Sequence, residues 1–252
     1  FSYVDIFKSV SKYKKILGLE NYKQKTLEIF LGIDRKDEKS GGDLIPVYQA
    51  YKAAPSDDAL SLLFLHNHDD VLGMLPLIQL MAYEEFFHGG YRVSDANFHD
   101  YTSFDQSPAT ELLIRGTVPY AFPAQLSLRK DDIFLRMAQD QFSMSVPVYE
   151  GTLKYFYPDY KNYYYLPMED VAIHKSVSAY VEKEFRAQAK AATCYTKKEG
   201  TFLPQYQELF SPVFLKEYRD KTSYFLCDPV SYLSDEKWQL TYTAHLLSHF
   251  LS

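Results

Sequence analysis

The sequence contains few cysteines and no long apolar run, and both absences narrow the class of protein. Cys194 and Cys227 are its only cysteines, and they form no CxxC motif. This usage favours buried thiols in a reducing compartment, although a single disulfide stays open. No segment approaches the roughly 18–20 apolar residues of a membrane-spanning helix, and no secretory signal opens the chain. We therefore predict a cytoplasmic protein without a membrane partner.

The signatures of several enzyme classes are missing as well. The chain contains no GxSxG, no cysteine-nucleophile signature and no dinucleotide-binding fingerprint, and it has no internal repeats or low-complexity tracts. Serine-hydrolase and nucleotide-cofactor chemistry therefore have no support in the sequence. The chain begins at Phe1 in the middle of a pattern, which predicts that it is a fragment of a longer protein.

What the sequence does contain is the composition of a globular protein rich in tyrosine. Of its 252 residues, 46% are hydrophobic and 24% are charged, and the 23 tyrosines suit half-buried sheets and contact surfaces. The net charge is −6, yet residues 1–36 hold eight Lys or Arg against four Asp or Glu. Lys12, Lys14 and Lys15 in this segment could meet a polyanion such as nucleic acid, and a solvated helix face explains them equally well.

The pattern of apolar residues changes near Gly89-Gly90. Before this pair the apolar residues follow helical spacing, which predicts helices up to about Phe87. After it, short apolar or alternating runs separated by Pro, Gly and Asp predict an antiparallel sheet, followed by a final helix capped near Asp235. The predicted class is α+β, with a helical domain over residues 1–88 and a β-rich accessory domain over residues 91–252.

The β-rich part is predicted to contain short strands joined by tight turns. Turns are expected at Lys130-Asp131-Asp132, at Glu150-Gly151 and at Lys198-Glu199-Gly200, because each group separates two apolar runs. Helical spacing returns over residues 171–181. The runs that predict strands before that helix are 112–114, 126–128, 133–137, 142–148 and 153–157.

The most unusual stretch runs from Leu60 to Met81, where His66-Asn67-His68-Asp69-Asp70 interrupts a leucine-rich helical pattern. In a continuous helix, His66 and Asp70 are one turn apart and project to the same side. Burying such polar groups without partners costs roughly several kcal/mol, so they must pair, meet solvent or hold a metal. Two interpretations follow: the site of a metal-dependent hydrolase, or a helix cap with a satisfied histidine.

Three further groups each allow two interpretations. Ser40-Gly41-Gly42 could offer backbone N–H groups to a phosphate of a nucleic acid, or it could form a tight turn with a helix cap. The seven aromatic residues of Tyr155–Tyr165 predict cross-strand packing or a stacking platform for single-stranded bases. His245 and His249 lie at i and i+4, a spacing compatible with a metal site and equally with a surface pair.

Two of these segments resemble a known family. They read GDLIPVYQAY over residues 42–51 and LLFLHNHDDVL over residues 62–72. The two segments are similar to the end of the ribonuclease-H-like domain in predicted exonucleases of the YprB type, within the DEDD exonuclease superfamily. The resemblance covers about residues 3–87 and implies the helical C-terminal part of an α/β domain. The remaining residues resemble the extension that follows this domain in related Firmicutes proteins.

The resemblance implies a two-metal phosphodiesterase that degrades DNA or RNA from the 3′ end. In this family four carboxylates hold two Mg²⁺ or Mn²⁺ ions, which activate water and stabilise the leaving oxygen. Asp70 matches the last of the four acids and would be a metal ligand. His66 would orient or deprotonate the attacking water, and Asp69 ranks second as a ligand because it points elsewhere on the helix.

The sequence departs from the family pattern in its acidic residues. The D-x-E pair of the first strand and the later Asp of the family have no counterpart here, and Asp5 is predicted to be a helix cap. We therefore predict that the fragment alone is inactive and that the longer parent is a nuclease with a site that is incomplete here. A different hypothesis is a non-catalytic module whose Tyr-rich sheet binds nucleic acid or a protein.

Overall fold

The computed structural model describes residues 5–34 and 39–252, and it combines helices with antiparallel sheets, as the α+β prediction states. The helices of these residues are α1 (Ile6–Ser11), α2 (Lys14–Leu17), α3 (Gln24–Phe30), α4 (Gly41–Ala53), α5 (Asp57–Leu77), α6 (Met81–Phe87), α7 (Pro229–Leu233) and α8 (Glu236–Leu251). The strands are β1 (Arg92–Thr102), β2 (Pro108–Lys130), β3 (Ile133–Pro147), β4 (Tyr149–Phe156), β5 (Tyr163–Leu166), β6 (Val171–His174), β7 (Ala187–Gln188), β8 (Tyr195–Gln205) and β9 (Ser223–Leu226).

The helices before β1 begin and end where local chemistry places their boundaries. The Asp5 side chain accepts a hydrogen bond from the backbone N–H of Lys8 at 2.9 Å, so the prediction that Asp5 caps a helix is confirmed. Ser56 caps α5 in the same way through the N–H of Ala59. Pro76 removes one backbone donor near the end of α5, and the chain continues as a 3₁₀ turn over Ile78–Leu80.

Three antiparallel sheets form the rest of the described chain. Strands β1, β2 and β3 make one sheet in sequence order, β4, β8 and β9 make a second, and β6, β5 and β7 make a small third. Asp131 and Asp132 have φ of 45° and 67° and join β2 directly to β3, which confirms the turn predicted at this place. The final helix, α8, begins after an Asp235 cap, also as predicted.

The strands are longer than the sequence predicts. Runs 112–114 and 126–128 both belong to β2, and runs 133–137 and 142–148 both belong to β3. The prolines that suggested a break, Pro119 and Pro123, lie where the register between β2 and β3 shifts. A bulge leaves them out of the hydrogen-bonded ladder, so the strand continues past them.

Two predicted turns and one predicted helix are wrong. Glu150-Gly151 lies inside β4, and Lys198-Glu199-Gly200 lies inside β8, because the two strands pair with Gly151 opposite Gly200. Residues 171–181 form strand β6 and a 3₁₀ segment instead of a helix. Strand β1 was not predicted, since its mostly polar sequence lacks an apolar run.

The main core contains residues from both sides of Gly89-Gly90. Phe86 of α6 is fully buried and packs against Tyr91, Phe122 and Phe142. The same cluster takes in residues of α1, α2, the β1–β2–β3 sheet and α8. The helices and the first sheet therefore share one core, while two small clusters lie elsewhere in the β-rich part.

Helices α4 and α5 lie largely outside that core. Their exposed apolar side chains, continued onto the 3₁₀ turn, are Ile45, Tyr48, Phe64, Val71, Leu72, Met74, Leu75 and Ile78. An apolar surface of this extent is unusual for a surface that faces water. In the described part of the chain, no helix is long and apolar enough to cross a membrane.

Candidate functional site

The central polar stretch lies in the middle of α5, which is a continuous helix of 21 residues. His66 and Asp70 project to the same side of it, and His66 Nε2 lies 3.2 Å from Asp70 Oδ2. The predicted pairing is therefore present. The Asp70 side chain is 41% exposed and the His66 side chain 17%, so the carboxylate is the more accessible of the two.

The pair lines a groove between α4 and α5. The groove has a volume of about 840 Å³, and its polar end is formed by His66, Asn67 and Asp70. Gln49 and Lys52 of α4 also line it, and its other walls are leucine, isoleucine, valine, tyrosine and phenylalanine side chains of the two helices. The first residue of α4, Gly41, lies at the same end, because a Cβ on Gly41 would be 3.9 Å from His66 Nε2.

The structure thus brings two of the predicted groups together. Ser40, Gly41 and Gly42 start α4, and the His66–Asp70 pair of α5 lies beside that start. Asp43 accepts hydrogen bonds from the backbone N–H and the hydroxyl of Ser40, and these bonds lower the pKa of Asp43. The helix-cap interpretation of the serine is confirmed, whereas phosphate binding stays a prediction.

Asp69 faces a different neighbour from Asp70. Its carboxylate lies 3.3 Å from His68 Nδ1, and its side chain is mostly buried. The angle of about 100° between consecutive helical residues explains the separation of the two acids. Ligation of a metal by Asp69 stays a prediction, and the groove is lined by Asp70.

The three lysines predicted to meet nucleic acid each contact another part of the molecule. Lys12 pairs with Glu84 of α6 at 3.1 Å. Lys14 lies over the ring of Tyr22, and Lys15 donates to the carbonyl of Ser252. These contacts hold the first two helices against their neighbours. A role of the lysines in binding nucleic acid stays a prediction.

Sequence reasoning missed a buried polar group behind Asp70. Gln24 of α3 donates to the Asp70 carbonyl oxygen at 2.7 Å and to Glu28 Oε1 at 2.8 Å. Glu28 is fully buried, and its carboxyl lies against Gly73 of α5. The i, i+4 spacing of Gln24 and Glu28 was a visible signal, but their partner on α5 depends on the tertiary fold.

The rings of the Tyr-rich segment pack mostly on one another. Tyr157 stacks on Tyr163 with ring centroids 4.6 Å apart, and Tyr155 meets Tyr157 edge to face. Tyr164 lies between the cations of Lys175 and Arg186. This packing supports the cross-strand interpretation. The binding of bases or of a protein by this sheet stays a prediction.

Each of the two histidines of α8 contacts another part of the protein. His245 Nε2 accepts the backbone N–H of Tyr206 at 3.0 Å, and His249 Nε2 lies 2.8 Å from Asp131 Oδ2. The Tyr206 ring stacks on His249. The pair therefore connects the end of α8 to the β2–β3 turn and to the end of β8.

Among the described residues, a metal ion in the groove would meet one carboxylate, that of Asp70. Within residues 5–34 and 39–252, no group of three or more His, Cys, Asp or Glu is arranged to hold a metal. Asp70 nevertheless suits a single ligand position, since its side chain is 41% exposed, it lines the groove, and Mg²⁺ and Mn²⁺ prefer carboxylate oxygens. The remaining ligands would have to come from elsewhere.

The residues that line the groove lie in a part of the chain that matches a family model. A model of the RNase H superfamily matches residues 1–82. The match supports an RNase H-like domain in this part of the chain, which contains α1 to α5 with His66 and Asp70. It suggests a nuclease-type fold and a nucleic-acid substrate. No curated protein and no solved structure matches the chain.

Proposed function

We propose that the α4–α5 groove is part of the active site of a metal-dependent nuclease, a 3′→5′ exonuclease on DNA or RNA, in a longer parent protein. The observation that carries this proposal is the His66–Asp70 pair at the polar end of the groove, 3.2 Å apart on one helix. The family match over residues 1–82 supports it, because the pair lies inside the matched segment.

In the proposed reaction each side chain has a defined task. Asp70 would supply carboxylate oxygens to a divalent ion, whose chemistry there would be to lower the pKa of water and to stabilise the leaving oxygen. His66 Nε2 lies against the Asp70 carboxylate, and its imidazole is the group proposed as the general base for the attacking water. The apolar walls of the groove keep this end of α5 partly shielded from solvent.

The exposed apolar side of α4 and α5 fits this proposal. We assign the missing carboxylates to a part of the parent protein that packs over these helices and covers their exposed leucine, methionine and phenylalanine side chains. The fragment of 252 residues is then expected to be inactive on its own, because one carboxylate does not form a two-metal site.

The test is nucleic-acid cleavage by the full-length parent with Mg²⁺ or Mn²⁺. Single-stranded DNA and RNA labelled at the 5′ end would show shortening from the 3′ end. We expect Asp70→Asn to lower kcat by more than the roughly 10–100-fold that is typical for losing an outer-shell partner of a metal ligand. We expect His66→Asn to lower it by about 10²–10⁴-fold, as for a general base.

The matched control is His68→Asn, which changes a histidine of the same helix whose side chain is 64% exposed and does not line the groove. It should retain most of the activity of the unaltered protein. Full cleavage by Asp70→Asn would remove Asp70 from the site. If the unaltered parent bound single-stranded DNA but did not cleave it with either metal, the nuclease proposal would be wrong. The non-catalytic module would then be the supported function.

A further inference from the structure

A polar group formed by Gln24 and Glu28 of α3 contacts the backbone of α5 at the turn that carries Asp70. Gln24 Nε2 lies 2.7 Å from the Asp70 carbonyl oxygen and 2.8 Å from Glu28 Oε1. The Gln24 amide has two N–H groups, so one hydrogen can serve each acceptor. The contact with α5 is made to its backbone, at the residue whose carboxylate lines the groove.

Gly73 allows the close approach that this contact needs. A Cβ at this position would lie 1.9 Å from Glu28 Oε1 and 3.0 Å from Gln24 Nε2. A Cβ here would displace the buried Glu28 carboxyl and the Gln24 amide, so glycine at position 73 leaves the room that these two groups occupy. The group therefore selects one position of α3 along α5.

The burial of the Glu28 carboxyl opposes folding. Its residue surface is 0% exposed, and a buried carboxyl costs free energy that an apolar side chain of similar size would not. Polar groups of this kind are best attested where they select one register between helices. Here the register is that of α3 on α5, and Glu28 meets α5 at Gly73, three residues after Asp70.

We propose that Gln24 is a positioning residue for Asp70. By bonding the Asp70 carbonyl, it sets the rotation of α5 and so the direction in which this helix presents His66 and Asp70 to α4 and to the groove. Glu28 orients the Gln24 amide, and Gly73 leaves room for both groups. The catalytic meaning of this placement rests on the proposed function, but the placement itself can be measured without it.

The experiment uses the ring signals of histidines in ¹⁵N-labelled chain at a fixed pH, without metal or nucleic acid. The His66 signals, assigned with His66→Asn, report on the position of the ring against the start of α4, since a Cβ on Gly41 would lie 3.9 Å from His66 Nε2. Gln24→Met keeps the side-chain volume and removes both donors. We expect it to move the His66 signals in the unaltered chain and also in the Asp70→Asn background, because a change in the rotation of α5 does not depend on the Asp70 carboxylate.

A second variant separates positioning from a loss of packing. Gln24→Glu with Glu28→Gln retains a buried amide–carboxylate pair but places a carboxylate next to the Asp70 carbonyl, and it should also move the His66 signals. The control, Ile29→Ala on the exposed side of α3, should leave them unchanged.

Unchanged His66 signals in a folded Gln24 variant would overturn the proposal, even if the thermal midpoint falls. The exchanged pair decides the question if Gln24→Met does not fold. Movement of the signals in a protein whose parent shows no cleavage would support the positioning and overturn only the proposed nuclease function.

Discussion

At the scale of single residues, the neighbours of a histidine decide its task in this molecule. His66 faces Asp70 in the groove, and His249 lies 2.8 Å from Asp131. His245 is half-buried and accepts a backbone N–H from Tyr206, which requires an unprotonated Nε2. Residues of one type therefore differ in their response to pH according to what they contact.

The first prediction concerns the pH dependence of stability at the end of α8. Burial lowers the pKa of His245, and the neighbouring His249 lowers it further. Burial also lowers the pKa of His249, with Lys130 acting in the same direction and Asp131 opposing it. The unfolded chain then binds more protons than the folded one, so the free energy of unfolding should fall as the pH drops below about 6.5.

His245→Gln tests this prediction, because its amide oxygen can accept the Tyr206 N–H without titrating. Between pH 7.5 and pH 5.5 the variant should lose less stability than the unaltered chain, as measured by urea unfolding. A part of the loss should remain, since His249 still titrates. His245→Ala should cost about 1–3 kcal/mol at pH 7.5 by leaving that N–H without its partner. Equal losses in the glutamine variant and the unaltered chain would contradict the prediction.

The contacts of these residues also show which parts of the candidate site the sequence could predict. The His66–Asp70 pair follows from helix geometry alone, because residues four apart share a side. The contact of Gln24 with Asp70 joins residues 46 positions apart, and no local pattern predicts it. The approach of Gly41 to His66 likewise depends on how α4 packs on α5.

At the scale of elements, local signals predict the helices better than the strands. Caps at Asp5, Ser40 and Ser56 act within a few residues, so helix starts can be predicted from the sequence. The full length of β2 cannot, because its bulge at the two prolines is set by pairing with β3. The same reason explains the wrong turns in β4 and β8, whose glycines pair across the sheet.

The second prediction concerns the packing of α3 on α5. Gly73→Ala should destabilise the chain by about 1–3 kcal/mol, because a Cβ would lie 1.9 Å from Glu28 Oε1 and displace this buried carboxyl from its contact with Gln24. Helix propensity alone predicts the opposite, a gain of up to about 1 kcal/mol for alanine over glycine. The free energy of unfolding in urea distinguishes the two.

Gly42→Ala is the matched control for that change. Gly42 is also helical, and its nearest potential contact is Ser40 Oγ at 3.6 Å, an ordinary distance. This variant should be as stable as the unaltered chain or slightly more stable. If Gly73→Ala behaved like Gly42→Ala, the close contact between α3 and α5 would not be required.

At the scale of the whole molecule, the helices and the first sheet share a core although the sequence changes character between them. Apolar residues of α1, α6 and α8 and of β2 and β3 belong to one cluster. By contrast, α4 and α5 expose much of their apolar surface. The segment that matches the RNase H superfamily thus contains helices of the shared core together with the exposed pair.

The last prediction tests whether the shared core makes the two parts unfold together. Phe86→Ala removes a fully buried ring that contacts Phe122 and Phe142 of the sheet, and it should cost about 3–5 kcal/mol. Hydrogen exchange should rise in α6 and also in β2 and β3, because both sides of Gly89-Gly90 lose the same contacts. Phe104→Ala, at an exposed ring, should change neither. Faster exchange confined to α6, with the strands unaffected, would instead indicate that residues 1–88 and 91–252 unfold as independent domains.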